Sequence, residues 1–146
     1  MTRILAVDWG ERRIGLAVSD PLGILATGLP TLEIRGVAEA VARVADTIRT
    51  VGAESVVVGL PLTLSGGRGS SAIAAERFAR LIEEASGVPV ALYDERLTSA
   101  LAERRMRETG AHTRGRKGKV DQGAAVALLE GWLARLKNER RGDDVE

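Results

Sequence analysis

Two spacings of apolar residues run along this chain and divide it into strands and helices. Ile4-Leu5-Ala6-Val7 is a short unbroken apolar run, the pattern of a buried strand over residues 3–8. A turn, Trp9-Gly10-Glu11-Arg12-Arg13, follows, with Gly10 free to take positive φ. Residues 13–19 read as a second strand, Asp20-Pro21-Leu22-Gly23 as a turn, and 24–32 as a third strand of an antiparallel meander. From Gly36 to Val51 the spacing changes to that of a helix, with Val37, Ala40, Val41, Val44, Ala45 and Ile48 on one side. Residues 55–60 form a β-branched strand, and 72–85 a helix with Ile73, Phe78, Leu81 and Ile82 inward. A fifth strand is predicted over 88–93. Another helix, capped by Thr98 or Ser99, ends at Gly110, and a last helix covers 120–136. The order is β-β-β-α-β-α-β-α-α, without an internal repeat.

The acids mark the ends of these segments. Asp8 closes the first apolar run, Asp94 and Glu95 close Val88–Tyr93, and Asp121 opens the apolar pattern of the last helix. Carboxylates are rarely buried unless something offsets their charge. Three separate segments ending this way point to one shared offset, and a divalent metal is the simplest. Carboxylates without cysteine or a second histidine are a hard-metal set, suited to Mg²⁺ or Mn²⁺ rather than zinc. Two such ions can activate water and stabilise the leaving oxygen of a phosphodiester. Local chemistry accounts for the same acids in another way. Asp121 is also favoured by the helix dipole, Asp8 can bond a turn backbone, and Asp94 and Glu95 point to opposite sides of an extended chain.

Length and composition narrow the possibilities. The 146 residues suit one domain, expected over 1–137, with 138–146 a charged, disordered tail. Aromatic residues make up only 3%, so Ala, Val, Leu and Ile must build the core. The absence of cysteine excludes disulfides and thiolate chemistry and fits a reducing, cytoplasmic setting. No apolar stretch suffices for a membrane span. The net charge is only +1, but Arg104, Arg105, Arg107, Arg114, Arg116, Lys117 and Lys119 cluster before the last helix. Such a patch can bind a polyanion on one face of a near-neutral domain. The single His112 lies in this basic loop, where it could order a phosphate or a water. The Gly/Ser-rich stretch 65–71 lacks P-loop spacing and reads as a connector.

Four motifs now stand in order. They are Ala6-Val7-Asp8-Trp9-Gly10-Glu11-Arg12-Arg13-Ile14-Gly15-Leu16-Ala17-Val18-Ser19-Asp20, Val57-Val58-Gly59-Leu60-Pro61, Asp94-Glu95-Arg96-Leu97-Thr98-Ser99 and Lys117-Gly118-Lys119-Val120-Asp121. Together they closely resemble the YqgF/RuvX family. The resemblance implies a ribonuclease H-like α/β fold related to the RuvC junction resolvases, with a mixed five-stranded sheet and helices on both faces. It also implies a metal-dependent endonuclease acting on the 5′ end of pre-16S rRNA, or alternatively on Holliday junctions in branched DNA. Carried over by motif, Asp8, Glu95 and Asp121 are the catalytic and metal-binding acids, holding one or two Mg²⁺ or Mn²⁺ ions. The resemblance thereby selects Glu95 over Asp94. Related resolvases carry an acid on the fourth strand; here that strand reads Val-Val-Val-Gly-Leu, and Glu95 substitutes from the fifth. Arg114, Arg116, Lys117 and Lys119 would hold the nucleic-acid backbone, with Arg13 and Arg96 bracing the site. Trp9 is larger, and Glu11 more acidic, than is usual in the family. Trp9 suits either stacking on a base or packing beside the strand.

Two other classes compete. A non-catalytic nucleic-acid-binding module would have lost the acids, whereas all three are kept. An actin-like sugar kinase would share the Asp8-x-Gly10 turn but needs two lobes, beyond the reach of 146 residues. The motifs leave RNA against DNA, and monomer against homodimer, open.

Overall fold

The computed structural model describes residues 2–10, 12–60, 69–94 and 117–144. Five strands, β1 (Arg3–Asp8), β2 (Arg13–Ser19), β3 (Ala26–Glu33), β4 (Ala53–Leu60) and β5 (Val90–Asp94), form one mixed sheet in the order β3-β2-β1-β4-β5. β1 to β3 are an antiparallel meander, while β4 and β5 run parallel to β1. Three helices are described: α1 (Val37–Val51), α2 (Ser70–Ser86) and α3 (Lys117–Asp144). The helix expected between Thr98 and Gly110 lies outside the described residues.

Side-chain alternation along the strands splits the core into two layers. Leu5, Val7, Ile14, Leu16, Val56 and Val58 pack against α1 and α2 through Val44, Ile48, Phe78 and Ile82. Ile4, Ala6, Ala17 and Val57 face the other way and pack against Ala125, Leu128 and Leu129 of α3. β1 is buried on both faces, which explains its continuous apolar run. Gly52 and Gly87 end α1 and α2 in the left-handed conformation, donating back to the carbonyls of Ile48 and Glu83.

Several expectations shift for local reasons. β3 begins at Ala26 rather than residue 24 because the amides of Ile24 and Leu25 are held by the Asp20 carboxylate at 2.7 and 2.8 Å. β5 begins at Val90, not 88; Pro89 has no amide to donate, but its carbonyl accepts from Val56. Ile73 is not inward but 56% exposed. The buried stripe of α2 is instead Ala72, Ala75, Phe78, Ala79 and Ile82, in which alanines let the helix approach the sheet. Gly10 does not take positive φ. Its need for hydrogen is a close approach: a Cβ there would lie 2.6 Å from the Arg13 carbonyl oxygen.

The last helix runs longer than its spacing predicts. α3 continues to Asp144, well past residue 136. Lys137, Glu139, Arg140 and Arg141 are helix formers, and Arg135 pairs with Glu139 one turn on at 3.3 Å, so the polar end can extend the helix without burying an apolar stripe.

Candidate active site

The site is built around the C-terminal end of β1. Asp8 is half-buried and pairs directly with Gly15 of β2. It follows Ile4 and Ala6 at intervals of two, so it shares their face, the one covered by α3. Gly15 brings no side chain to that position of the pair. Among the described residues no hydrogen-bond donor or cation is recorded against it. A half-buried carboxylate at a strand end is an oxygen donor of the kind a hard divalent cation takes.

The direction of α3 supplies the second half. Leu133 and Leu136, late in the helix, line a cavity with Thr2 and Ile4 at the start of β1. Ala125, early in the helix, packs in the layer that contains Ala6. α3 therefore runs antiparallel to β1, and its N-terminal turns lie toward the end of the sheet that carries Asp8. Asp121 is one turn before Ala125, and Lys117 and Lys119 are in the first turn. The end of β5 is tied to the same layer by Tyr93, whose ring meets Trp132 of α3 edge-on at 5.7 Å. Gly59 pairs with Tyr93, and Leu60 with Asp94, so β5 ends beside the end of β4.

Arg13 opens β2 opposite Glu33 of β3, at the same end of the sheet as Asp8. Glu95, Arg96, His112, Arg114 and Arg116 lie outside the described residues. Among the described residues no three acids or histidines gather as a ready-made metal cluster. Trp9 turns to the opposite face from Asp8 and stacks on Phe78 of α2. That contact selects packing over base stacking for this residue. Asp20 is a turn anchor rather than a site acid. The Leu25 amide above all, with that of Ile24, holds its carboxyl below the usual carboxylate range.

Residues 12, 15 and 31 matter here although the sequence spacing did not single them out. Ile14 pairs with Leu32 and Leu16 with Leu29, so Gly15 alone faces both Pro30 and Thr31, a bulge in the edge strand. The one available signal was Gly15 itself, a glycine inside an otherwise apolar strand.

Comparison with known proteins agrees with this architecture. A chain from Anaeromyxobacter dehalogenans named “Putative pre-16S rRNA nuclease” is 47% identical over 133 residues, covering 91% of this chain and 97% of that relative. One of the same name from Koribacter versatilis is 45% identical over 144 residues, covering 99% and 91%. The RuvC structure from Thermus thermophilus superposes with a TM-score of 0.60 at 18% identity, covering 92% of this chain and 96% of that one. Its fold is thus shared, a ribonuclease H-like α/β sheet. The RuvX family, described as Holliday junction resolvase, matches residues 2–135. The chain belongs to the RuvX family.

Proposed function

We propose that this protein is a metal-dependent endonuclease that trims the 5′ end of pre-16S rRNA. The observation that carries the reading is the convergence on one sheet end of Asp8 and the N-terminal turns of α3 that contain Asp121. Glu95 completes the set. It stands two residues after Tyr93, whose ring belongs to the α3 layer, and the motif Asp94-Glu95-Arg96-Leu97-Thr98 supports it as the acid.

Asp8, Glu95 and Asp121 would hold one or two Mg²⁺ or Mn²⁺ ions. A bound ion would supply positive charge at the scissile phosphate and lower the pKa of attacking water. The chain itself does the positioning. Asp8 is fixed by strand pairing on a rigid sheet, and the Gly10 turn keeps Arg12 and Arg13 against that end. Lys117, Lys119, Arg114 and Arg116 would grip phosphates, with Arg13 and Arg96 bracing the backbone; such contacts add affinity without reading sequence. The choice of RNA rests on the names of the relatives, and the cytoplasm, where precursor rRNA is found, follows from it.

The second reading is cleavage of four-way DNA junctions, favoured by the family's description and by the RuvC fold. One experiment decides between them. A labelled pre-16S 5′-leader RNA and a four-way DNA junction are incubated with Mg²⁺, Mn²⁺ or EDTA, beside the Asp8→Asn protein. Metal-dependent cutting of the RNA, lost in the variant, supports the proposal. Cutting of the junction alone transfers the assignment to resolution, and retained cutting by the variant removes Asp8 from the chemistry.

A further inference from the structure

Beside the Asp8 end of the sheet, an open cavity of about 1210 Å³ wraps the edge strand β3 and the start of α1. Four arginines line it: Arg12, Arg13, Arg35 and Arg43. The acids in its wall are Glu33 and Glu39, leaving the basin net positive. Glu39 is already engaged, with its carboxylate 3.7 Å from Arg43 and 3.4 Å from the Arg35 amide. Arg43 also donates to the Glu33 carbonyl at 2.6 Å, which ties α1 to the end of β3 and sets the shape of the wall. Among the described residues no carboxylate is recorded against the guanidinium of Arg12 or Arg35, and both residues are exposed.

A separate observation lies in the same wall. The Thr31 Oγ1 is shut off from solvent and has no hydrogen-bond partner. A buried hydroxyl without a partner is costly. The bulge that displaces Thr31 sits across Gly15 from Asp8. Two strand spacings separate Thr31 from Asp8, about 10 Å across the sheet.

We propose that this basin is a second backbone-binding site, in which Arg12 and Arg35 hold phosphates adjacent to the one cleaved. Its ligand is the phosphodiester backbone of a nucleic acid. The proposal rests on the nuclease reading only in placing those phosphates beside the scissile one. The basin lies on the side of Asp8 toward β3. Guanidinium groups suit this role, since each can meet a phosphate with two parallel N–H donors.

The test is binding of a labelled RNA hairpin and of a four-way DNA junction over a range of KCl concentrations, by fluorescence anisotropy, in the Asp8→Asn background to prevent turnover. The double variant Arg12→Gln/Arg35→Gln should weaken binding and flatten the log–log salt slope by about one per arginine. Arg49→Gln, which removes an exposed arginine paired with Asp46 at the far end of α1, should leave the slope unchanged. An effect on the RNA arm, the DNA arm or both supports the basin and names its source. An unchanged slope on both arms overturns it, even where the parent protein cuts normally. Conversely, slope loss in a protein that never cuts either substrate overturns the nuclease reading and leaves the basin standing.

Discussion

Trp9 stacks on Phe78 with ring centroids 4.2 Å apart and planes inclined by 29°. The contact joins the residue after Asp8 to the middle of α2, so the turn that carries the acid is pinned from the opposite face of the sheet. Phe78 is fully buried, and its truncation to Ala should cost about 3–5 kcal/mol by chemical denaturation. Trp9→Phe keeps an aromatic partner and should cost much less. Nucleic-acid affinity of the folded Trp9→Phe protein should equal that of the parent; a clear loss would show that the indole reaches substrate.

The proposed metal-binding role of Asp8 predicts a thermodynamic signature independent of turnover. Mn²⁺ that binds only the folded state should raise the melting temperature, by the equivalent of about 2.7 kcal/mol at a hundredfold excess over Kd. Asp8→Asn should abolish that rise as well as cleavage while folding normally. EDTA should return the wild-type protein to the variant's value. An equal Mn²⁺ response in both proteins would place the ion elsewhere.

At Gly10 the constraint is steric. A methyl group 2.6 Å from the Arg13 carbonyl oxygen must push the turn open, because backbone cannot yield as a flexible side chain does. Gly10→Ala should destabilise by about 1–3 kcal/mol and should also lower cleavage of the protein that remains folded. Circular dichroism melts with single-turnover assays separate the two effects. A variant with wild-type stability would mean that the turn relaxes freely.

Asp20 gives a pH dependence. Its folded carboxyl lies below the usual carboxylate range because the Leu25 and Ile24 amides favour the charged form. The stabilisation is therefore complete above the unfolded value and is lost as pH falls through the folded one. The stability gap between wild type and Asp20→Ala should be flat from neutral pH to about 5 and narrow under stronger acid. A gap that widened on acidification would contradict the assignment.

The polar end of α3 should be dispensable for packing. Its last apolar contacts with the sheet layer come from Trp132, Leu133 and Leu136. Truncation after Lys137 should lower helical ellipticity with little change in melting temperature, whereas truncation after Leu128 should prevent folding. A large loss of stability from the shorter deletion would reveal contacts made by the polar end.

Much of this was legible along the chain because it depends on local spacing. Four apolar residues before Asp8 mark a strand buried on both faces, and the acid at its end follows from reading one segment. The same holds for the helical stripe through Val44 and Ile48, and for Asp121 one turn before Ala125. Period alone does not choose between two faces when alanines carry the buried one, which is why Ile73 lies outward. Past Leu136 α3 continues without an apolar stripe, so spacing does not mark its end.

Period, capping and turn chemistry act over a few residues, so the order of residues alone specifies the elements and the acids at their ends. Which face Asp8 takes, and which helix meets it there, was decided by strand register and by the antiparallel run of α3 against β1. The basin of Arg12, Thr31, Arg35 and Arg43 exists only in the tertiary structure. Its residues are scattered over a turn, an edge strand and a helix, and only the pairing of β2 with β3 and the docking of α1 bring their charges together.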